Sequence, residues 1–176
     1  MSQRGKIKRG EIYLADLDPT LGSEKGKERR VLIVSNDIGN SNPRCPVVIV
    51  LPITGEVTEK RKKMPMYVPV YPDQYNGQTK EALIDCGQIR VLDIDHRIGK
   101  FKGFIESKKL EEVNAAIETV LQLKVCPKCD SVLLPNKKHC VSCKYILVAV
   151  CKNCHTEISS EFKFCPHCGE RGVVDG

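Results

Sequence analysis

The sequence predicts a mainly β, α+β architecture: a small, mostly antiparallel barrel or curled sheet with one helix packed on it, followed by a separate cysteine-rich tail. Three observations carry this. Short runs of aliphatic and β-branched residues, broken by Gly-, Pro- and Asn-rich pieces, fill most of the chain up to Ile105. One run of helical period closes that region. Eight of the ten cysteines then fall after residue 125.

Each element follows from its local pattern. Residues 11–17 (Glu-Ile-Tyr-Leu-Ala-Asp-Leu) read as a strand, as do Val31–Ser35, Val47–Ile53, Pro65–Val70, Ala82–Asp85 and Gln88–Leu92. Aromatic and β-branched residues suit a pleated, half-buried surface. The breaks between them are Asp18-Pro19, Gly22–Gly26, Asn36–Pro43 and Tyr71–Gly77, rich in residues that turn the chain. Phe104 and Ile105 give a last short strand. Leu110, Val113, Ala116, Ile117, Val120 and Leu121 recur three and four apart, with Ser107 as N-cap, the signature of an amphipathic helix. Short strands ending in one helix bury their apolar faces by curling the sheet and laying the helix on it.

Composition sets the class. The chain has 176 residues, 41% hydrophobic and 28% charged, with a formal net charge of +6; this is globular, not disordered or collagenous. The longest apolar run, Val47–Leu51, is far short of the roughly 20 residues that span a bilayer, so no membrane association is expected. The opening Met-Ser-Gln-Arg-Gly-Lys has no apolar stretch behind it, so no signal peptide is read and the expected location is the cytoplasm.

The tail cysteines stand at 126, 129, 140 and 143, then at 151, 154, 165 and 168. The spacing C-x2-C-x10-C-x2-C thus occurs twice, offset by 25 residues, an internal repeat. CxxC pairs in fours read as zinc sites, because two cysteines on a tight knuckle turn both sulfurs to one point and two knuckles complete a tetrahedron. Each unit spans 18 residues with few apolar groups, mainly Val132, Leu133 and Leu134 in one and Ile158, Phe162 and Phe164 in the other. Burial alone does not fold so small a core, so zinc must supply the stability. Four thiolates leave no open coordination position, which makes both sites structural. His139, His155 and His167 each lie beside a ligand cysteine, but each site already has four ligands. The pattern resembles the double zinc ribbon, a structural module that touches nucleic acid or protein. The expected domains are 1–124 and 125–176.

The first domain is informative partly by what it lacks. It holds one histidine, His96, so a nuclease built on two histidines is not assembled here. It has no GxSxG elbow, HExxH or P-loop, and no paired carboxylates to hold a catalytic metal. What it holds is a series of small pieces in order: Arg9-Gly10-Glu11-Ile12-Tyr13, Asp18-Pro19, Gly22-Ser23-Glu24-Lys25-Gly26-Lys27-Glu28-Arg29, Val31 to Asp37, Pro52-Ile53-Thr54 and Gln88-Ile89-Arg90. Together these resemble the MazF/PemK family of toxin endoribonucleases across roughly residues 8–123.

The resemblance implies an SH3-like barrel of the MazF/PemK and CcdB kind, working as a homodimer. It implies metal-independent, sequence-selective cleavage of single-stranded RNA by attack of the ribose 2′-hydroxyl on the adjacent phosphate, and a cognate antitoxin. The family positions of the catalytic pair fall on Arg29 and Thr54, and those of substrate contacts on Ser23, Glu24, Arg30, Gln88 and Arg90. Arg30 stands where the family usually has proline, and Gly87 precedes Gln88 where relatives often carry a larger or acidic residue. The chemistry agrees with the residue types. A guanidinium presents planar donors to a phosphate and neutralises its developing charge, and a threonine hydroxyl bonds the same group. Because an arginine stays protonated, Arg29 is assigned to charge stabilisation and to donation toward the leaving 5′-oxygen, and no base is assigned.

Two rival readings keep the fold: an inactive nucleic-acid or protein adaptor, and a CcdB-like gyrase poison. The Arg29/Thr54 pair favours the nuclease over both. The block Lys60-Arg61-Lys62-Lys63 reads as an electrostatic contact for RNA or a solvated tip, and Cys45 and Cys86 as bystanders. Residues 1–124 carry 21 basic and 17 acidic side chains and the tail 7 and 5. Eight thiolates and two zinc ions turn the tail net negative, so the basic character belongs to the barrel.

Overall fold

The computed structural model describes residues 6–171, and the chain divides into two compact units between Val120 and Leu121. The first is a curled antiparallel sheet. Its strands are β1 (Glu11–Asp16), β2 (Glu28–Ile33), β3 (Val47–Thr54), β4 (Tyr67–Val70), β5 (Ala82–Asp85), β6 (Arg90–Asp93) and β7 (Ile98–Phe104). The strand order is β4-β5-β3-β2-β1-β7, with β6 also on β3. β3 organises the sheet. Val50 pairs with Ile33 of β2 on one edge and with Arg90 of β6 on the other, and Ile53 and Thr54 then pair with β5.

Because side chains alternate along a strand, the two faces of β3 serve two cores. Leu51 and Ile53 join Ile12, Leu32, Val68, Val70 and Ile84 in one. Val48 and Val50 join Tyr13, Ala15, Val31, Ile33, Leu92 and Ile98 in the other. Helix α4 (Ser107–Val120; three short helices precede it) covers the first core, with Val113 and Ala116 buried and Leu110, Ile117 and Val120 packed beside them. Each fully buried aliphatic side chain contributes about 1.5–3 kcal/mol. The helix is capped one residue earlier than the sequence implied: the Glu106 carbonyl accepts the first helical bond, from Leu110, so Ser107 lies inside the helix. Leu121 falls beyond it and is exposed, and Gln122 takes a positive φ of 53°.

Other boundaries also shift. β2 begins at Glu28, not Val31, because β1 recruits the charged residues: Ala15 pairs with Arg29 and Leu14 with Arg30. β7 is a seven-residue strand, not the short piece at Phe104. Its Ile-Gly-Lys-Phe-Lys-Gly-Phe lacks clean alternation, and its pairing with β1 is bulged. Gly103 is required there, since a Cβ would stand 2.0 Å from the Tyr75 carbonyl oxygen. The three short helices, α1 (Asp37–Asn40), α2 (Glu59–Lys62) and α3 (Ile94–Arg97), carry side-chain caps from Asn36, Thr58 and Asp93.

The second unit, described by itself, is a chain of four knuckles with one short hairpin, β8 (Val148–Val150) with β9 (Glu157–Ser159). Among the described residues no helix is long and apolar enough to cross a membrane.

Candidate functional site

β2 and β3 carry the catalytic candidates. Val31 faces Pro52 and Ile33 faces Val50. The β2–β3 pairing ends at Val31–Pro52; Arg29 and Thr54 lie two residues beyond it, on the face of Val31 and Pro52 by alternation, where Arg29 pairs with Ala15 of β1 and Thr54 with Leu83 of β5. That face is apolar from Ile33 and Val48 up to Val31 and Val50, and it turns polar at Arg29 and Thr54. Thr54 is buried and Arg29 half-buried. Arg29 Nε donates to the Gly26 carbonyl at 2.8 Å, and among the described residues neither Nη atom has a partner. Thr54 Oγ1 accepts the Glu56 N–H at 3.3 Å, which leaves the hydroxyl hydrogen to donate. Arg30 belongs to the opposite face by alternation. Its Nη2 donates to the Gly77 carbonyl at 3.1 Å, and its buried Nε has no partner among the described residues.

The β1–β2 loop beside Arg29 is tied at several points. Asp18 Oδ1 accepts the Lys27 N–H at 2.9 Å. Ser23 and Glu24 are exposed at its tip, where the Glu24 carboxylate accepts the Leu21 N–H at 3.3 Å. Gln88 and Arg90 reach the loop backbone from the other side of β3. Gln88 accepts the Lys25 N–H and donates to the Ser23 carbonyl, and Arg90 donates to the carbonyls of Leu17 and Lys25. Arg97 adds bonds to the carbonyls of Asp16 and Asp18. Ser23, Glu24, Arg29, Gln88 and Arg90 therefore collect around one loop, and Thr54 lies at the end of β3 on the face of Val48 and Val50.

The sequence did not bring out a charged cluster beside Thr54. The Glu56 carboxylate meets Arg61 at 2.6 Å and Lys25 at 3.2 Å, and hydrogen bonds from these two, Arg61 foremost, hold it below the usual carboxylate range. The Arg61 guanidinium lies 5.9 Å from the centre of the Tyr67 ring. Tyr67 faces Asp85 across β4–β5. Asp85 is buried, and burial pushes its carboxyl up, opposed by the Gly87 N–H at 3.2 Å and by Lys25. These residues come from four separated segments, so no local spacing announces them. Lys62, read as part of an RNA contact or solvated tip, pairs with Glu59 and Glu81.

The tail cysteines gather as the spacing requires. Cys126, Cys129, Cys140 and Cys143 form one cluster, and Cys151, Cys154, Cys165 and Cys168 the other, with sulfurs within 4.8 Å of one another in each. The closest separations are 3.6 and 3.7 Å in the first and 3.6 and 3.5 Å in the second. A tetrahedron with zinc–sulfur bonds of about 2.3 Å has edges of about 3.8 Å, so both donor sets fit zinc. Each knuckle repeats one construction. The residue after the second cysteine (Asp130, Lys144, His155, Gly169) takes a positive φ, and its N–H bonds the carbonyl of the first cysteine. Hydroxyls of Ser131 and Thr156 lie 3.4 Å from the Cys129 and Cys154 sulfurs, placed to donate to thiolates. None of the three tail histidines enters either cluster.

Known proteins agree with both halves. The family model for the PemK-like, MazF-like toxin of type II toxin-antitoxin systems matches residues 8–121, and that for the double zinc ribbon matches residues 120–169. The endoribonuclease MazF of Staphylococcus saprophyticus is 40% identical over 117 residues, which are 66% of this chain and 92% of that protein. Among solved structures, the Mycobacterium tuberculosis toxin MazF-mt6 superposes with a TM-score of 0.51 at 25% identity, covering 65% of this chain and 98% of its own. MazF from Deinococcus radiodurans gives 0.53 at 19% identity, covering 66% and 96%, and carries the fold alone. A mycobacterial endoribonuclease in complex with its cognate antitoxin gives 0.53 at 23%, covering 68% and 99%. With a matching family model over most of its length and a relative this similar, the chain belongs to the PemK-like, MazF-like toxin family of type II toxin-antitoxin systems, and it carries a double zinc ribbon after the toxin domain.

Proposed function

We propose that this protein is the endoribonuclease toxin of a toxin–antitoxin pair, cleaving single-stranded RNA at selected sequences. Residues 1–124 carry the activity and residues 125–176 form a ribbon domain folded on two structural zinc ions. The observation that carries the reading is Arg29 and Thr54 on one sheet face, each two residues beyond the Val31–Pro52 pair, with Arg29 bonded to the Gly26 carbonyl of the loop, in a chain 40% identical to an endoribonuclease over this domain.

On this reading the RNA supplies its own nucleophile. The 2′-oxygen bonds to phosphorus, the bond to the 5′-oxygen breaks, and the products end in a 2′,3′-cyclic phosphate and a 5′-hydroxyl. The free Nη groups of Arg29 hold the charge that builds on the phosphoryl oxygens, and the guanidinium stands ready to donate toward the leaving oxygen. The Thr54 hydroxyl donates to the same phosphoryl group. No metal is needed for these steps. Ser23 and Glu24 contact the substrate from the loop tip, Gln88 and Arg90 stand beneath the same loop, and Arg30 borders the site from the other face. The working form is a cytoplasmic homodimer, and a cognate antitoxin blocks the RNA groove.

The test is incubation of the full chain with a long single-stranded RNA in magnesium-free buffer, with the fragment ends mapped. Discrete cuts with 2′,3′-cyclic phosphate ends support the nuclease. Intact RNA overturns it and promotes the adaptor.

A further inference from the structure

Gln88 and Arg90 sit 63 to 73 residues away in sequence from the loop they touch. Gln88 uses both ends of its amide: Oε1 accepts the Lys25 N–H at 2.7 Å and Nε2 donates to the Ser23 carbonyl at 3.2 Å. Arg90 Nη1 donates to the Leu17 carbonyl at 2.9 Å and to the Lys25 carbonyl at 3.3 Å. Lys25 is therefore gripped by both its N–H and its carbonyl, and each bond to the charged guanidinium is of the stronger kind.

Gly26 comes next, and its carbonyl accepts Arg29 Nε at 2.8 Å. The chain is tight there. A Cβ on Gly26 would stand 2.4 Å from Thr20 Oγ1 and 2.6 Å from Asp18 Oδ1. A guanidinium with Nε on a fixed carbonyl has its Nε–H direction set and both Nη groups available.

We propose that Gln88 and Arg90 are positioning residues: they clasp the backbone of the Ser23–Gly26 loop, and through the Gly26 carbonyl they set the orientation of Arg29. The proposal rests on Arg29 being the group that meets the phosphate. It differs from direct readout of RNA, because the contacts that Gln88 Oε1 and Nε2 make here both go to the loop backbone. Small misplacements of a catalytic group are costly, on the order of 10²-fold in rate for about 1 Å. Gly87 adds no side chain beside the clasp.

The experiment compares wild type with Gln88→Leu, Gln88→Glu and Arg90→Lys, all as full chains with zinc. Two quantities are read: amide hydrogen exchange over residues 21–27, and single-turnover cleavage of a single-stranded RNA across a range of enzyme concentrations. Gln88→Leu is expected to lose protection at Lys25 and to cleave about 10²-fold more slowly at saturation, with half-saturation moved less than about threefold. Gln88→Glu keeps an acceptor for the Lys25 N–H and retains that protection, which separates the clasp from a general loss of folding. Arg90→Lys can reach only one of its two carbonyls and falls between. Wild-type exchange in the loop of Gln88→Leu overturns the proposal, as does a raised half-saturation with the maximal rate unchanged, the mark of direct RNA contact. If wild type cleaves no RNA, the nuclease reading fails, while loop exchange still decides whether the clasp exists.

Discussion

Arg29 of β2 and Thr54 of β3 each lie two residues beyond the Val31–Pro52 pair, on the face that buries Val31 and Val50 by strand alternation. Arg30, next in sequence, faces away and bonds the Gly77 carbonyl. Adjacent arginines therefore have different surroundings, and substitution separates them. Arg29→Ala is expected to lower kcat/KM by about 10²–10³-fold, the usual cost of removing a donor to a developing oxyanion. Thr54→Val should lose activity and Thr54→Ser should keep most of it. Arg30→Ala should cleave at near the wild-type rate. Cleavage rates on one defined RNA check the series, and loss only in Arg30→Ala contradicts the assignment.

The two cysteine clusters predict close to two zinc ions per chain, measured by atomic absorption on protein purified without chelator. Structural zinc in small peptides is worth on the order of 10–16 kcal/mol, far more than the few apolar side chains of either unit. Cys151→Ser should bind close to one zinc and lose ordered structure over 151–168, while hydrogen exchange in β3 stays as in wild type.

Three knuckles place a non-glycine residue at positive φ: Asp130, Lys144 and His155, where the fourth has Gly169. A left-handed residue with a Cβ costs about 1–2 kcal/mol. Lys144→Gly should relieve most of that and slow zinc loss to a competing chelator, offset in part by the greater freedom of glycine in the unfolded chain. Gly169→Ala should accelerate loss from the second site.

Asp85 carries a pH signature. Burial raises its carboxyl above the ordinary value of 3.8. A raised pKa in the folded state favours folding below the ordinary value, and that contribution is lost as pH rises through the raised one. Asp85→Asn should therefore gain urea stability relative to wild type at pH 7, and the gain should shrink as pH falls toward 4. A variant less stable at pH 7 than at acid pH, relative to wild type, shows that the carboxylate is a net stabiliser.

The parts of this molecule differ in how legible they were. The zinc knuckles could be read outright, because ligand spacing is itself the geometry. Helix α4 was legible from the recurrence of Leu110, Val113, Ile117 and Val120, but its cap was misplaced by one residue, since Ser107 is a common capping residue and Glu106 is not. β2 was cut short because Glu28-Arg29-Arg30 looks like a solvated loop, and only pairing with β1 makes it a strand. β7 is legible in the sequence only at its end, Phe104, because Gly99 and Gly103 serve a bulged pairing and close contacts, not alternation. For the site, residue chemistry alone left Arg29 among several cations, and the resemblance singled it out. The bonds of Gln88 and Arg90 to the loop span more than sixty residues, and no local pattern encodes them.

On the proposed reading the RNA 2′-hydroxyl is the nucleophile, with Arg29 and Thr54 stabilising the phosphate. The most direct measurement uses an RNA oligonucleotide containing one mapped cleavage site, made again with a single 2′-deoxy sugar on the 5′ side of the scissile bond. This bond should no longer be cut, while a second, unmodified site in the same strand is cut as before. Continued cleavage at the deoxy position would contradict it.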